Sequence, residues 1–160
     1  AFAAGLAWCG LSVWLLVEVT RLSKVEQVMV EDGHRRVIGE WLKENAAPGD
    51  RVFMECLGYL GYFSGLKTLD FPGLSSPEVV AASKRVGLGW NRLIDELRPE
   101  WLVLRPFEAA KIEEGSPGLL ARDYREVRIF DVSGEVERRD VYGQGLLAFD
   151  SIFIVLRRNE

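Results

Sequence analysis

The chain has 160 residues, enough for one domain with a sizeable core, and its 20 Lys and Arg against 24 Asp and Glu leave a formal net charge of −4. That balance argues against a nucleic-acid partner, which selects for a concentrated basic surface, while 48% hydrophobic and 28% charged residues exclude a disordered or collagen-like chain. Two Cys and one His exclude a disulfide framework, a four-cysteine zinc site and a histidine-rich metal site, so we expect neither a metal nor a cofactor.

The N-terminal segment is apolar. Residues 1–17 contain no charged side chain, whereas charged residues are frequent from Glu18 onward. As a helix the segment spans about 25 Å, slightly less than a hydrocarbon core of about 30 Å. Trp8 and Trp14 fit an interfacial aromatic belt, although they also fit a buried helix. The segment therefore predicts a transmembrane helix. The alternatives are a core or partner-packing helix and a signal-peptide remnant, which would need a basic region in front.

The organisation of the chain follows from this segment. It begins with Ala rather than Met, so we expect it to be cut from a longer protein in which the apolar helix continues upstream. Apolar residues then recur at three- and four-residue intervals up to a turn at Pro48 and Gly49, which predicts an amphipathic helix. The predicted parts are a transmembrane helix over 1–20, a juxtamembrane connector over 21–32 and a soluble α/β domain over 33–160.

Helical segments alternate with short apolar segments through the soluble part. This order predicts a three-layer α/β sandwich with a mainly parallel sheet and an antiparallel C-terminal edge. In chain order, the predicted elements are a helix over 33–44, a strand over 51–58, a short turn or helix over 59–65, a strand over 67–70, a helix that begins at Pro77, a helix over 90–97, a strand over 101–106, a short helix over 107–115, a strand over 126–132, an irregular polar excursion over 133–147 and a strand over 149–159.

Glycines follow the first predicted strand. Gly58, Gly61 and Gly65 stand where a nucleotide-binding loop would lie, and Asp70 ends the next strand, where dinucleotide folds place a ribose-binding carboxylate. The spacing is G-x-x-G-x-x-x-G rather than G-x-G-x-x-G, and Tyr59 adds bulk where a pyrophosphate needs bare backbone. The glycines therefore favour a tight turn with close helix–strand packing, and binding of a nucleotide or S-adenosylmethionine is the alternative.

Two carboxylates are candidates for acid–base chemistry. Glu55 and Asp70 follow neighbouring predicted strands, so they could line one sheet edge and split their pKa values. The favoured interpretation is structural: Asp70 caps the turn after it, and Glu55 pairs with an arginine. Arg105 leaves the carboxyl end of a central strand, where α/β sheets place ligands. Nucleophilic catalysis is disfavoured because His34 lies far in sequence from Ser64, Ser75 and Ser76, and Cys56 resembles a small hydrophobe.

The basic residues are dispersed in three doublets. We interpret all three as solvated surface, with contacts to lipid phosphates as the alternative if they face the bilayer. The doublets are Arg35–Arg36, Arg138–Arg139 and Arg157–Arg158.

Short motifs over most of residues 30–105 resemble a known arrangement. In chain order they are R-x-x-G-x-W-L at Arg36, Gly39, Trp41 and Leu42, a P-G-D turn, G-Y-x-G-Y at Gly58, Tyr59, Gly61 and Tyr62, D-x-x-G-L at Asp70, Gly73 and Leu74 with a following Ser-Pro, and a strand R-P-x-W-L-V-L. This set resembles the C-terminal extracytoplasmic domain of bacterial multi-spanning glycosyltransferases of the GT-C superfamily, which is related to protein mannosyltransferases and uses polyprenyl-phosphate sugars.

The resemblance implies a function for the whole protein rather than for this piece. In that superfamily the catalytic carboxylates lie in an early extracytoplasmic loop that this chain does not contain, so no catalytic residue is expected here. The implied role is an accessory domain that helps to position acceptor or donor. The candidate ligand-facing residues are Glu55, Gly58, Tyr59, Tyr62, Asp70 and Arg105.

The expected partners are the lipid bilayer, the rest of the same membrane-embedded chain and a lipid-linked sugar or glycan acceptor, with no nucleic acid. The expected location is the bacterial inner membrane. Arg21 and Lys24 follow the apolar helix, and the positive-inside rule alone would place the domain in the cytoplasm. The resemblance implies the extracytoplasmic side, and we follow it.

Overall fold

The computed structural model describes residues 2–159, with side chains from residue 5 onward. It begins with one unbroken helical run made of α1 (Phe2–Val25), a π segment (Glu26–Arg35) with i→i+5 hydrogen bonding, and α2 (Arg36–Asn45). The part of this run from Gly5 to Asn45 is long and apolar enough to cross a membrane. The predicted connector over 21–32 is thus helical, and the predicted helix over 33–44 has no separate start.

The N-terminal part of α1 is not buried by the domain. Leu11 and Trp14 are each about half exposed, at 48% and 49%, and no residue of the apolar window is buried. A core helix of a soluble protein would bury these side chains. Their exposure fits the prediction of a helix surrounded by lipid.

A five-stranded mixed sheet forms the centre of the domain, in the order β2-β1-β3-β5-β4. β1 runs parallel to both β2 and β3, while β5 runs antiparallel to β3 and β4. The predicted α/β fold, with a parallel part and an antiparallel C-terminal edge, is therefore confirmed. The strands are β1 (Arg51–Met54), β2 (Lys67–Asp70), β3 (Trp101–Leu104), β4 (Tyr124–Asp131) and β5 (Ile152–Arg158).

Helices cover both faces of this sheet. Side chains alternate along each strand, so Phe53 and Leu102 enter one apolar cluster while Val52 and Trp101 enter the other. The first cluster lies under α4 to α7, and the second packs against α2 and α3 through residues such as Ile38. The helices after α2 are α3 (Leu57–Ser64), α4 (Pro77–Val86), α5 (Trp90–Leu97), α6 (Pro106–Gly115), α7 (Leu119–Asp123), α8 (Ser133–Glu137) and α9 (Gln144–Ala148).

Further predicted segments differ from the structure. The strand predicted over 101–106 ends at Leu104, because Pro106 begins α6. The strand predicted over 51–58 ends at Met54, because the chain turns into α3 at Leu57. The excursion predicted as irregular over 133–147 contains α8 and α9, which bury Val136 and Leu147 against Val30 of the π segment. This small apolar cluster, which also includes Leu22 of α1 among its packed neighbours, holds the excursion beside the end of the apolar helix.

Candidate functional site

A cluster of charged side chains lies where β1 and β3 end. Arg105 follows β3 and its side chain is only 5% exposed. Its guanidinium donates to Glu108 Oε1 from Nε at 2.9 Å and from Nη2 at 2.5 Å, and to Asp150 Oδ1 at 3.0 Å, and it also pairs with Glu55. The backbone N–H of Arg105 donates to Glu108 Oε2 at 2.7 Å, so the same carboxylate caps α6.

A second arginine joins this cluster from the π segment. Arg35 Nη2 lies 2.7 Å from Asp150 Oδ2, and its Nη1 pairs with Glu31 one turn earlier. Asp150 therefore bridges Arg35 and Arg105 with its two oxygens. The prediction that Arg35 lies on a solvated face is wrong, since its side chain is 17% exposed and is held between carboxylates.

We refer to these six side chains as the arginine network: Glu31, Arg35, Glu55, Arg105, Glu108 and Asp150. It carries two positive and four negative formal charges, so its cations are already neutralised by the protein. A site that binds an anionic ligand needs cations with unsatisfied charge, which this network does not offer. Its effect is to join the π segment, the end of β1, the start of α6 and the start of β5 at one edge of the sheet.

His34 and Cys56 border the arginine network. The His34 ring is buried beside Phe153, and its Nδ1 lies 3.2 Å from the carbonyl oxygen of Asp150. Burial lowers the pKa of His34, with hydrogen bonds to the backbone at Asp150 opposing that shift, so the ring is neutral at pH 7. Burial also raises the pKa of the Cys56 thiol to about 12, against the opposing charge of Arg35. Cys56 is therefore not a thiolate nucleophile at neutral pH.

Of the two candidate carboxylates, only Glu55 reaches Arg105. This pair confirms the structural interpretation in which Glu55 is bound by an arginine. Asp70 is held by its own loop, where it accepts hydrogen bonds from the Leu74 N–H at 2.6 Å and from the Ser76 hydroxyl at 2.6 Å. Burial opposes its ionisation, but the hydrogen bonds from Ser76, Ser75 and the loop backbone prevail and lower the pKa of Asp70. The predicted capping role is confirmed.

The glycine- and tyrosine-containing segment forms α3. A Cβ at Gly61 would lie 3.1 Å from Thr68 of β2, and Gly65 ends the helix in the left-handed conformation with φ of +63°. Gly61 confirms the close helix–strand packing that the spacing favoured, and Gly65 confirms the tight turn. Gly58 lies in the first turn of α3 with open space around its Cα. Binding of a nucleotide or S-adenosylmethionine at this turn stays a prediction.

The two tyrosines of α3 lie apart from Arg105. Tyr59 accepts a hydrogen bond at its hydroxyl from Gln27 Nε2 at 2.7 Å, which ties α3 to the π segment. Tyr62 is 81% exposed and packs edge-on against Phe63. Of the predicted ligand-facing residues, the structure brings only Glu55 and Arg105 into contact with each other.

A basic groove beside the end of α1 is the second candidate functional surface. It encloses about 570 Å³ and is lined by residues of α1, the π segment and the segment after α8. Its cationic side chains are Arg21, Lys24, Arg138 and Arg139. The residues before and after α8 had no motif linking them to α1, so only the tertiary packing reveals this groove.

Sequence reasoning also missed three members of the arginine network, Glu31, Glu108 and Asp150. Glu31 stands four residues before Arg35, which is the spacing of an ion pair on one helix face. Glu108 stands three residues after Arg105 and just inside a helix that begins with Pro106, which is the spacing of a capping box and could have been noticed. Asp150 lies 45 residues after Arg105, and no local pattern connects the two.

Together these features define an α/β domain that continues without a break into a helix long and apolar enough to span a membrane. The chain belongs to the family described as a domain of unknown function (DUF8728), whose model matches residues 22–148. That match runs from the end of α1 to the end of α9. No curated protein and no solved structure matches the chain.

Proposed function

We propose that this chain is a non-catalytic accessory domain of a membrane glycosyltransferase that uses a lipid-linked sugar, and that it positions donor or acceptor at the membrane surface. The observation that carries this proposal is the unbroken helical run from Phe2 to Asn45. Its first part exposes apolar side chains, while its last part buries Ile38 and Leu42 completely under the sheet. The domain is thereby joined to the membrane segment without a flexible linker.

A rigid connection matters for positioning. A flexible linker would let the domain sample many orientations, whereas a continuous helix holds one face towards the bilayer. The hydrogen bond from Gln27 to Tyr59 and the Arg35–Asp150 ion pair brace the helical run against the domain on the side of α3 and β5. Gln27 and Arg35, which make these two contacts, both lie within the first 20 residues after the uncharged part of the helix, so the helical run is held close to where it would leave the bilayer.

The arginine network supports a role other than catalysis. Its arginines are saturated by carboxylates, His34 is neutral and buried, and Cys56 stays a thiol at neutral pH. None of these groups is free to act as a nucleophile or to neutralise a phosphate. The glycosyltransferase part of the proposal is supported by the motif resemblance over residues 30–105, which places the reacting carboxylates elsewhere in the longer protein.

Membrane anchoring is tested first. The full chain, expressed in bacteria, is expected to stay in the membrane pellet after extraction with alkaline carbonate and to dissolve only with detergent. A Leu11→Lys/Trp14→Lys variant places two charges in the lipid-facing part of α1 and is expected to shift the chain to the supernatant. Release of the unaltered chain by carbonate would refute anchoring.

Sidedness and activity are tested separately. An alkaline phosphatase fused after residue 160 is expected to be active, because that enzyme folds only outside the cytoplasm; an inactive fusion would reverse the proposed orientation. In membranes that contain the complete protein, removal of residues 46–160 is expected to reduce sugar transfer from a lipid-linked donor by raising KM rather than by abolishing kcat. Absence of any transfer by the complete protein would refute the glycosyltransferase assignment.

A further inference from the structure

The basic groove combines an apolar floor with cationic rims. Val25 and Val28, on adjacent turns of the helical run, contribute to its apolar lining, while Arg21 and Lys24 stand on the same side of the run. The opposite rim is formed by the arginine doublet that follows α8. The Nε of Arg139 lies 3.1 Å from the sulfur of Met29, and this contact holds the Arg139 side chain over the groove.

The cations of the groove are largely unneutralised. Arg21 pairs with Glu18 at 3.2 Å. Within residues 5–159, no carboxylate oxygen lies within the 4.0 Å ion-pair distance of Lys24, Arg138 or Arg139. Asp140 is the one acidic residue in the lining, so the groove has four cationic side chains to one carboxylate. In a chain with a net charge of −4, this local excess of positive charge is unusual and contrasts with the saturated arginine network.

The depth of the groove along α1 matches a lipid headgroup layer. Arg21 and Lys24 follow the last residue of the uncharged segment by about 6 and 10 Å of helix rise, at 1.5 Å per residue. The headgroup region on each side of a bilayer is about 5–8 Å thick beyond the hydrocarbon core. With the uncharged segment in the core, Arg21 falls within this layer, and Lys24 lies just beyond it, within reach of the lipid phosphates through its flexible side chain.

Exposed apolar side chains flank the groove on the membrane side. Tyr142 is 68% exposed, and its ring contacts Trp14 of α1 edge-on at a centroid distance of 6.1 Å. Leu146 of α9 is 72% exposed on the same excursion. Because Trp14 lies within the uncharged segment, these side chains reach the boundary between headgroups and acyl chains. An aromatic and an aliphatic side chain at that level are typical of segments that insert into the interface.

From these observations we propose that the groove binds the phosphate headgroup of an anionic bilayer phospholipid, with Lys24, Arg138 and Arg139 as the binding cations. Tyr142 and Leu146 lie among the acyl chains of the same lipid leaflet. This site goes beyond the proposed accessory function and uses only its anchoring step. Bound in this way, a lipid fixes the rotation of the domain about the axis of α1.

The experiment is a calorimetric titration of the full chain in uncharged maltoside micelles with dioctanoyl phosphatidic acid. Arg138→Gln/Arg139→Gln is expected to weaken binding by about thirtyfold and Lys24→Gln by about fivefold, since each cation near an anionic surface contributes a comparable factor. The matched control is Lys84→Gln/Arg85→Gln on α4, an exposed doublet whose loss changes the net charge equally and is expected to leave the affinity unchanged. Circular dichroism checks that each variant is folded.

Two further titrations distinguish an anionic lipid from other sources of phosphate. Inorganic phosphate, which lacks acyl chains, and dioctanoyl phosphatidylcholine, which carries no net charge, are both expected to bind more weakly than phosphatidic acid. Equal affinity for inorganic phosphate or for phosphatidylcholine would overturn the proposal, and so would unchanged affinity in both the Lys24 variant and the arginine variant. Carbonate extraction of the unaltered chain tests anchoring independently, so an anchored chain that does not bind phosphatidic acid refutes the groove and leaves the accessory function standing.

Discussion

Replacement of Arg105 by Met tests whether the arginine network holds the domain together. The guanidinium binds Glu108, whose side chain is only 1% exposed, through two hydrogen bonds of 2.5 and 2.9 Å. Without Arg105 this carboxylate has no cation and little access to water. Breaking one partner of a buried ion pair costs about 3–5 kcal/mol.

The other partners of Arg105 add little to this figure. Asp150 keeps its ion pair with Arg35, and the Glu55 side chain is 42% exposed, so it can turn towards water. We therefore expect Arg105→Met to lower the free energy of unfolding by about 3–5 kcal/mol. For a domain of this size that corresponds to a fall in the unfolding midpoint of roughly 10–20 °C.

The assay is thermal and urea unfolding of the full chain in uncharged micelles, followed by near-ultraviolet circular dichroism. Arg122→Met is the matched control, because Arg122 is 64% exposed and pairs with Asp123 on the surface, where solvent screens the pair, so its loss is expected to leave the stability almost unchanged. Arg105→Met/Glu108→Gln removes both charges while the amide oxygen can still accept from the backbone of residue 105. This double variant is expected to be more stable than Arg105→Met alone.

Two results would refute the reasoning. A loss below about 1 kcal/mol in Arg105→Met, similar to the surface control, would show that Glu108 finds water or another donor without rearrangement. A double variant less stable than the single one would show that shape rather than the unpaired charge of Glu108 sets the cost.

Three further predictions concern separate parts of the fold. The folded-state pKa of Asp70 lies below its ordinary value, so its ionised form stabilises the fold above about pH 4, and this contribution is lost as the pH falls through the folded-state pKa. Asp70→Asn should therefore flatten the acid limb of a curve of unfolding free energy against pH. An unchanged acid limb would contradict this. Gly143 has φ of +85° and a Cβ there would lie 3.1 Å from Leu22, so Gly143→Val should destabilise the chain by about 1–3 kcal/mol in urea unfolding, whereas Gly145→Ala, which has open space, should not. Burial raises the pKa of Cys56 from 9.0 to about 12, which lowers its thiolate fraction about a thousandfold. Mass spectrometry should therefore find that iodoacetamide at pH 8 leaves Cys56 unalkylated in the folded chain and alkylates it in denaturant. Fast labelling of the folded chain would refute the burial of Cys56.

Much of the fold was accessible from local patterns. The run Trp101–Leu104 is buried on both faces and was recognisable as a central strand because four consecutive apolar residues lie between Pro-containing boundaries. Pro77 begins a helix, as its fixed φ predicts. The capping role of Asp70 also followed from local spacing, since its partners lie within six residues.

The candidate surfaces depended on distant contacts. Asp150 joins two arginines that are 115 and 45 residues away from it in sequence, and no spacing rule reaches that far. Arg35 was assigned to the solvent for the same reason, because on its own helix it stands among charged neighbours. The basic groove likewise needs the excursion around α8 to fold back on α1, and this return is driven by the burial of Val136 and Leu147.

The amino-acid order alone was sufficient for the apolar N-terminal helix, the alternation of helices and strands and the local caps, because each of these depends on residues within one or two turns or on a single strand. Tertiary packing decided which charges meet: it neutralised Arg35 and Arg105 with buried or half-buried carboxylates and left Lys24, Arg138 and Arg139 facing a common groove. The physical reason is that electrostatic partners are selected by distance in space, which chain separation does not determine, whereas hydrophobic periodicity is written along the chain itself.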